Sequence, residues 1–311
     1  MKKLQLTTTV YNRLEDGFSQ WLDVLGYNKM TIYNMPNIAR GFLYFLEQKH
    51  IYSIKEVQPK HIKDYHKYIQ SRVNERRGGG LSNNYINKHV QALEKFVEYL
   101  SHRGMDNVPT VNIKLLPLFT RDITILTVEE VKELYKATDL VRKGNHLRAL
   151  ALVARDKCIL SIFYGCGLRR NEGVNLKIGD IDFDRRVLIV KKGKNYKQRI
   201  VPFGKQTSKT LEDYVFNHRP YLVKQKNETT FFVGYRGELN NGITLYKRLK
   251  LIQLAVDNPI LQSKTIGLHS LRHSIATHFL QSGMELQKIQ KFLGHSSLES
   301  TQIYTHLIEK D

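Results

Sequence analysis

The sequence contains little cysteine and no long apolar run, and each shortage excludes a class of protein. Cys158 and Cys166 are the two cysteines, too few for a disulfide framework, and we expect both to pack as small apolar side chains. No run of 18 apolar residues is present, which argues against a membrane-spanning helix. The segment MKKLQLTTTVYN has no apolar core after its lysines and does not read as a signal peptide. A reducing, cytoplasmic location is therefore expected.

Acidic residues are also scarce relative to basic ones. Lysine and arginine number 49 against 29 aspartates and glutamates, which gives a formal net charge of +20. Such an excess indicates a polyanionic partner, either nucleic acid or an anionic membrane surface. Both halves of the chain share the excess, so both are expected to contact the same polyanion.

The first 108 residues are predicted to form a bundle of four helices. Apolar residues recur near helical spacing in segments that begin close to Tyr11, Thr31, Gln58 and Ser82. Ser82 is a residue type that caps helix amino termini. Pro36 falls within the second segment, where it either kinks the helix or marks its start.

A second domain is predicted to follow a proline-containing linker. Pro109 and Pro117 break the helical pattern, and T-V-E-E at residues 127–130 is a capping box that opens a new helix. We therefore predict a helical domain over 1–108, a linker over 109–123 and a second domain over 124–311. Within the second domain, residues 181–190 and 198–203 are predicted strands around a lysine-rich turn, in an otherwise helical fold.

Five side chains in four short segments indicate a site for a phosphodiester. GCGLRRNEG contains Arg169, HSLRH contains His269 and Arg272, LGHSS contains His295, and TQIYTH contains Tyr304. Arginine forks bind phosphate bidentately, and histidine exchanges protons near neutrality. A tyrosine hydroxyl that loses its proton as it attacks forms a covalent intermediate.

Each of these residues taken alone has a plainer explanation. The arginines could be surface residues or structural ion pairs, and most tyrosines serve packing or interfaces. His269 could cap or pack within a helix. His269 and His273 are also four residues apart, as zinc ligands on a helix can be, but no third ligand follows nearby, and we expect no metal site.

The four segments, in this order and spacing, resemble the motifs of the tyrosine recombinases, also called phage integrases. GCGLRRNEG is similar to the first arginine box, with Arg169 and Glu172 in register, and the other three are similar to the H-x-x-R, second histidine and nucleophile boxes. The resemblance is strong over residues 120–311 and general over the first hundred. It implies a mainly α fold, in which a helical core-binding domain precedes a mostly helical catalytic domain with a small antiparallel β-sheet.

The resemblance also implies a role for each motif residue. Arg169 and Arg272 would clamp the scissile phosphate, whose oxygens gain charge during attack. His269 would assist proton loss from Tyr304, and His295 would donate a hydrogen bond to the phosphate. The attack would leave a 3′-phosphotyrosine and a free 5′-hydroxyl, so rejoining would need neither ATP nor metal, and no cofactor is expected.

A lysine of the predicted strand turn would protonate the leaving 5′ oxygen. Counting backward from R-I-V-P places Lys194 at the family's lysine position. Lys192 and Lys197 lie close enough in sequence to remain alternatives for this role. Glu172 is expected to support Arg169 by an ion pair without taking part in the chemistry.

Other basic residues are candidates for contacts to the DNA backbone. Lys192 and Lys197 would contact phosphates if they are not the acid, and Arg170 would face the backbone or solvent. Arg76 and Arg77 precede three glycines, so they either reach into a groove or belong to a loop without that role.

The function implied by the resemblance is site-specific DNA recombination. The enzyme would bind an inverted-repeat core site on double-stranded DNA as a homodimer, pair two sites as a homotetramer and exchange strands through a Holliday junction. The chain length of 311 residues suits two domains and favours a Xer-like or small mobile-element recombinase. The alternatives are a type IB topoisomerase, which the helical amino-terminal bundle argues against, and a DNA-binding protein without catalysis, which the intact set of motif residues argues against.

Overall fold

The chain folds into two compact units. The structure, a computed structural model, describes residues 4–75, 78–105, 107–118, 123–142, 144, 146–191, 198–225, 227–239 and 241–294. The units comprise Met1–Arg121 and Asp122–Asp311. The fold is mainly helical with one small antiparallel sheet, which confirms the predicted fold class.

The first unit is a bundle of four helices, each lying within a few residues of a predicted segment. They are α1 (Thr9–Val24), α2 (Lys29–Gln48), α3 (Pro59–Ser71) and α4 (Asn83–His102). The Ser82 side chain accepts a hydrogen bond from the Tyr85 amide, as its position before α4 predicted. Pro36 lies inside α2, so the alternative that it starts this helix is wrong.

Aromatic side chains fill the core of this bundle, and the proline-containing segment packs beside it. Phe18 of α1 and Phe96 of α4 are fully buried, with ring centroids 5.2 Å apart. Asn87 of α4 exchanges two hydrogen bonds of 2.8 Å with the backbone of Leu116. Asn83 donates another, of 2.8 Å, to the Pro117 carbonyl. These bonds fix the segment around Leu116 along α4.

The second unit contains eight helices within the described ranges. They are α5 (Val128–Ala137), α6 (Leu147–Leu160), α7 (Arg170–Val174), α8 (Lys205–Glu212), α9 (Gly242–Leu254), α10 (Pro259–Ser263), α11 (Leu268–Gln281) and α12 (Leu286–Leu293). The predicted capping box opens α5, where Thr127 and Glu130 exchange side chain to backbone hydrogen bonds. Two π-helical segments, Ser161–Gly165 and Asp213–His218, continue α6 and α8.

The sheet has three strands where two were predicted. Strands β1 (Ile181–Asp182), β2 (Val187–Val190) and β3 (Arg199–Pro202) pair antiparallel in chain order. The prediction of one strand over 181–190 is wrong, because a turn with Arg186 in the left-handed region (φ 52°) separates β1 from β2. Val190 pairs with Arg199, so β2 and β3 flank the predicted lysine-rich turn.

The core of the second unit is centred on α6 and contains both cysteines. Cys158 and Cys166 are buried and unpaired, as expected of small apolar side chains. None of the helices in the described ranges combines the length and the apolar composition needed to cross a bilayer.

Candidate active site

Arg169 is positioned by a π-helical turn followed by a glycine in the left-handed region. The Cys166 amide donates to the Ser161 carbonyl, five residues earlier, which closes the turn at the end of α6. Gly167 then takes φ 59°, and a Cβ there would lie 2.9 Å from Phe292 Cε1. A glycine at 167 therefore lets α12 approach the residues that lead into Arg169.

Arg169 caps α7 and contacts the end of α12. Its backbone amide donates to Glu172 Oε2 (2.7 Å), and its Nη1 donates to Glu172 Oε1 (3.0 Å), so the predicted ion pair is present. Its Nη2 donates to the Gly294 carbonyl (2.8 Å). The side chain keeps 23% of its area exposed, against 3% for Arg272.

Arg272 lies in the first half of α11 and is almost fully buried. Its Nη1 donates to the Gly167 carbonyl (2.5 Å), and its Nη2 donates to the Leu293 carbonyl (2.7 Å). Glu172 Oε2 lies 3.9 Å from its Nη1. Arg272 thus joins the turn before Arg169 to the end of α12, and the two arginines predicted from separate motifs lie at one place.

A third arginine, Arg199, completes this group and was missed by the sequence analysis. Its Nη1 and Nη2 each donate to one Glu172 oxygen (2.9 Å for both bonds), and its Nε donates to the Phe292 carbonyl (3.1 Å). The signal was present in R-I-V-P, because strand alternation puts Arg199 on the same face as the buried Val201. An arginine on the apolar face of a strand indicates a buried ion pair.

Glu172 remains ionised at the centre of these three guanidinium groups. Burial alone would raise the pKa of Glu172, but the hydrogen bonds and charge of Arg199, followed by those of Arg169, lower this pKa to about 2. Three arginines against this carboxylate leave the group with a net positive charge. Such an arrangement suits a phosphate, which arginine binds through parallel hydrogen bonds.

The carboxyl end of α12 is the common anchor of the three arginines. The carbonyls of Phe292, Leu293 and Gly294 accept hydrogen bonds from Arg199, Arg272 and Arg169 respectively. Cations are favoured at the carboxyl end of a helix, where the last carbonyls lack partners within the helix. His295 follows Gly294 directly in the sequence, so the predicted second histidine box begins where the arginines converge.

His269 lies in the first turn of α11, one helical turn before Arg272. Burial, followed by the charges of Arg272, Arg170 and Arg169, lowers the pKa of His269 below its ordinary value of 6.5. The neutral imidazole is therefore favoured near neutral pH, and this is the form that accepts a proton.

The remaining predicted residues are Arg170 and a set that lies outside the described residues. Arg170 is exposed, and its side chain covers Gly242 at the start of α9, where a Cβ would lie 2.7 Å from Arg170 Cδ. The others lie outside the described residues: Arg76, Arg77, Lys192, Lys194, Lys197, His295 and Tyr304. Within the described part of the chain, no group of three or more histidine, cysteine, aspartate and glutamate side chains is arranged to hold a metal ion.

Comparison with known proteins identifies the family. Residues 124–310 match the model of the phage integrase family. The chain belongs to the phage integrase family. It is 33% identical over 234 residues to tyrosine recombinase XerD of Listeria innocua serovar 6a, covering 74% of each chain. It is 29% identical over 315 residues to tyrosine recombinase XerD of Proteus mirabilis, covering 98% of this chain and 94% of the other.

A solved structure of another recombinase shares the fold. The crystal structure of XerH site-specific recombinase bound to difH substrate, a pre-cleavage complex, aligns with a TM-score of 0.71 and 20% identity. The alignment covers 99% of this chain and 97% of that one. The prediction of a tyrosine site-specific recombinase is confirmed.

Proposed function

We propose that Tyr304 is the nucleophile of this recombinase and that the arginine group holds the scissile phosphate. The tyrosine oxygen forms a bond to phosphorus as the bond to the 5′ oxygen breaks, which leaves a 3′-phosphotyrosine and a 5′-hydroxyl. In the reverse direction, a 5′-hydroxyl attacks the phosphotyrosine and restores the phosphodiester. The proposal is supported chiefly by the convergence of Arg169 and Arg272 at the end of α12, directly before His295.

The two arginines are well suited to stabilise the transition state because their positions are fixed beforehand. Each donates to a backbone carbonyl at the end of α12, so little reorganisation is needed when charge develops on the phosphate oxygens. Glu172 offsets one of the three positive charges of Arg169, Arg199 and Arg272, so the four side chains together keep a positive charge. A bound phosphate would therefore offset an existing excess of positive charge.

Proton transfer is assigned to His269 and to a lysine of the predicted strand turn. His269, whose pKa is lowered by burial and then by the neighbouring arginines, accepts the proton of Tyr304. Lys194 protonates the leaving 5′ oxygen, with Lys192 and Lys197 as the alternatives within the same predicted turn. His295 donates a hydrogen bond to the phosphate. No metal is required, since the arginines supply the charge and the lysine supplies the proton.

The assembly proposed for the reaction uses both units of the chain. The unit Met1–Arg121 binds the core site with basic residues such as Arg76 and Arg77, while the second unit carries the chemistry. A homodimer occupies each inverted-repeat site, and two sites pair as a homotetramer that exchanges strands through a Holliday junction. The surplus of basic residues, +20 in total, favours contact with the DNA backbone. Because the substrate is DNA, we place the reaction in the cytoplasm.

A suicide substrate tests the proposal. Core-site DNA nicked next to the cleavage position loses the 5′-hydroxyl fragment, so the covalent complex accumulates. We expect the wild-type chain to form this complex in excess chelator. Tyr304→Phe should bind the same DNA and form none, whereas Tyr235→Phe, at an exposed tyrosine of the second unit, should behave as wild type. A covalent complex with Tyr304→Phe would overturn the assignment, and a strict need for one divalent metal would overturn the mechanism.

A further inference from the structure

Arg199 joins three segments that are distant in sequence. It is the first residue of β3, and 9% of its side chain is exposed. Its two Nη atoms bind the two oxygens of Glu172, which belongs to α7, and its Nε binds the carbonyl of Phe292 in α12. All three bonds are between 2.9 and 3.1 Å long. One guanidinium therefore fixes β3, α7 and α12 together.

The side chain of Arg199 also shapes the end of α12. Gly294 has φ 65°, and a Cβ there would lie 2.6 Å from Arg199 Cδ and 2.9 Å from its Nε. The stem of Arg199 thus occupies the space that a larger residue at 294 would need. The conformation of Gly294 sets the direction in which the chain leaves α12 towards His295.

We infer that Arg199 is a positioning residue for recombination, which fixes the end of α12 and Glu172 so that Arg169 and Arg272, the two arginines proposed to hold the phosphate, keep their places. This inference rests on the proposed function. Arg199 itself need not touch the phosphate, because its donors face Glu172 and Phe292.

A lysine cannot reproduce these contacts. The planar guanidinium binds both carboxylate oxygens with two parallel bonds and still offers Nε to the carbonyl, whereas an ammonium group is a point charge without that fork. Loss of Arg199 would also remove the strongest partner that lowers the pKa of Glu172, so this pKa would rise in the variant. Glu172 would then become protonated at a higher pH than in the wild type.

The test compares single-turnover cleavage of the nicked suicide substrate with DNA affinity in the full-length chain. We expect Arg199→Gln to cleave about 100-fold more slowly, the order of loss that follows a displacement of about 1 Å at a reacting centre. The Kd for core-site DNA should change by less than about threefold, because one phosphate contact at most is altered among many. The cleavage rate should therefore fall while the Kd is kept, a split that general loss of stability would not produce.

Two further variants separate this role from folding and from charge. Arg185→Gln removes the same charge from the exposed turn between β1 and β2 and should cleave as wild type. Arg199→Lys keeps the charge and should still cleave at least about tenfold more slowly, because the fork is lost. If Arg199→Gln does not fold, Arg199→Lys decides the question. The double variant Arg199→Gln/Glu172→Gln should be no slower than either single variant, since both changes break one unit.

The outcomes distinguish the inference from the proposed function. Wild-type cleavage by Arg199→Lys, or an equal fall of cleavage and affinity in Arg199→Gln, would overturn the positioning role. Additive losses in the double variant would show that Arg199 does not act through Glu172 and would also overturn it. Failure of the wild-type chain to form a covalent complex would instead contradict the proposed function.

Discussion

Replacing Glu172 by glutamine removes the charge that joins Arg169, Arg199 and Arg272 but keeps the shape of the side chain. The three arginines would then surround a neutral amide at a site where 13% of the native side chain is exposed. Positive charges held in a buried place without their counter-ion destabilise the folded state. The second unit should therefore unfold more easily.

The lowered pKa of Glu172 sets the magnitude of this effect. Each unit of pKa difference between the folded and unfolded protein corresponds to about 1.4 kcal/mol. A pKa lowered from the ordinary 4.5 to about 2 thus gives the Glu172 charge a contribution of about 3 kcal/mol near neutral pH. The folded pKa lies below the unfolded one, so this contribution is complete above pH 4.5 and is lost as the pH falls towards 2.

Urea unfolding followed by circular dichroism measures the effect as a function of pH. Glu172→Gln should lower the free energy of unfolding by about 3 kcal/mol near neutral pH, and the difference from wild type should shrink below pH about 4.5. Glu129→Gln, the same change at an exposed residue of α5, should alter it by less than about 0.5 kcal/mol. A Glu172→Gln difference that stays constant with pH, or equals that of the control, would refute the reasoning.

Three further predictions follow from other contacts. Asp156 is buried and binds both Arg155 (2.7 Å) and Arg248 (3.0 Å). Asp156→Asn should therefore lower the free energy of unfolding by about 3–5 kcal/mol in the same urea assay, and a loss below about 1 kcal/mol would contradict this. Because the pKa of His269 is lowered below its ordinary value of 6.5, the acid midpoint of the cleavage rate should lie below pH 6.5, and a midpoint above 6.5 would contradict its role as the proton acceptor. A bridging 5′-sulfur substrate should rescue Lys194→Ala, since a thiolate leaves without protonation, while rescue of a neighbouring lysine variant instead would move the acid along the turn.

Local signals in the sequence predicted the four helices of the first unit and the start of α5. The Thr127 capping box and the Ser82 cap both occur where a helix begins. Their side-chain oxygens accept hydrogen bonds from backbone amides within the first helical turn, so the signal is local in sequence. The division of residues 181–190 into two strands was missed. It depends on the left-handed conformation of Arg186, which arginine rarely adopts. Helix α8 has few apolar residues, so periodicity alone gave no sign of it.

The site was predictable only as far as its motifs extend. Arg169, Glu172 and Arg272 belong to recognisable segments, and the structure brings them together. Arg199 belongs to none of these motifs, and its partners lie 27 and 93 residues away in sequence. Such pairing depends on how β3, α7 and α12 pack together, which neither periodicity nor capping rules specify.

The identity of the DNA-linked residue tests the central claim most directly. The covalent complex formed by the wild-type chain on the nicked core site would be digested, and the peptide that retains the nucleotide would be sequenced by mass spectrometry. The account predicts a single modified peptide, with the 3′-phosphate of the DNA on Tyr304. A nucleotide on any of the other 16 tyrosines, or on a serine, would contradict it.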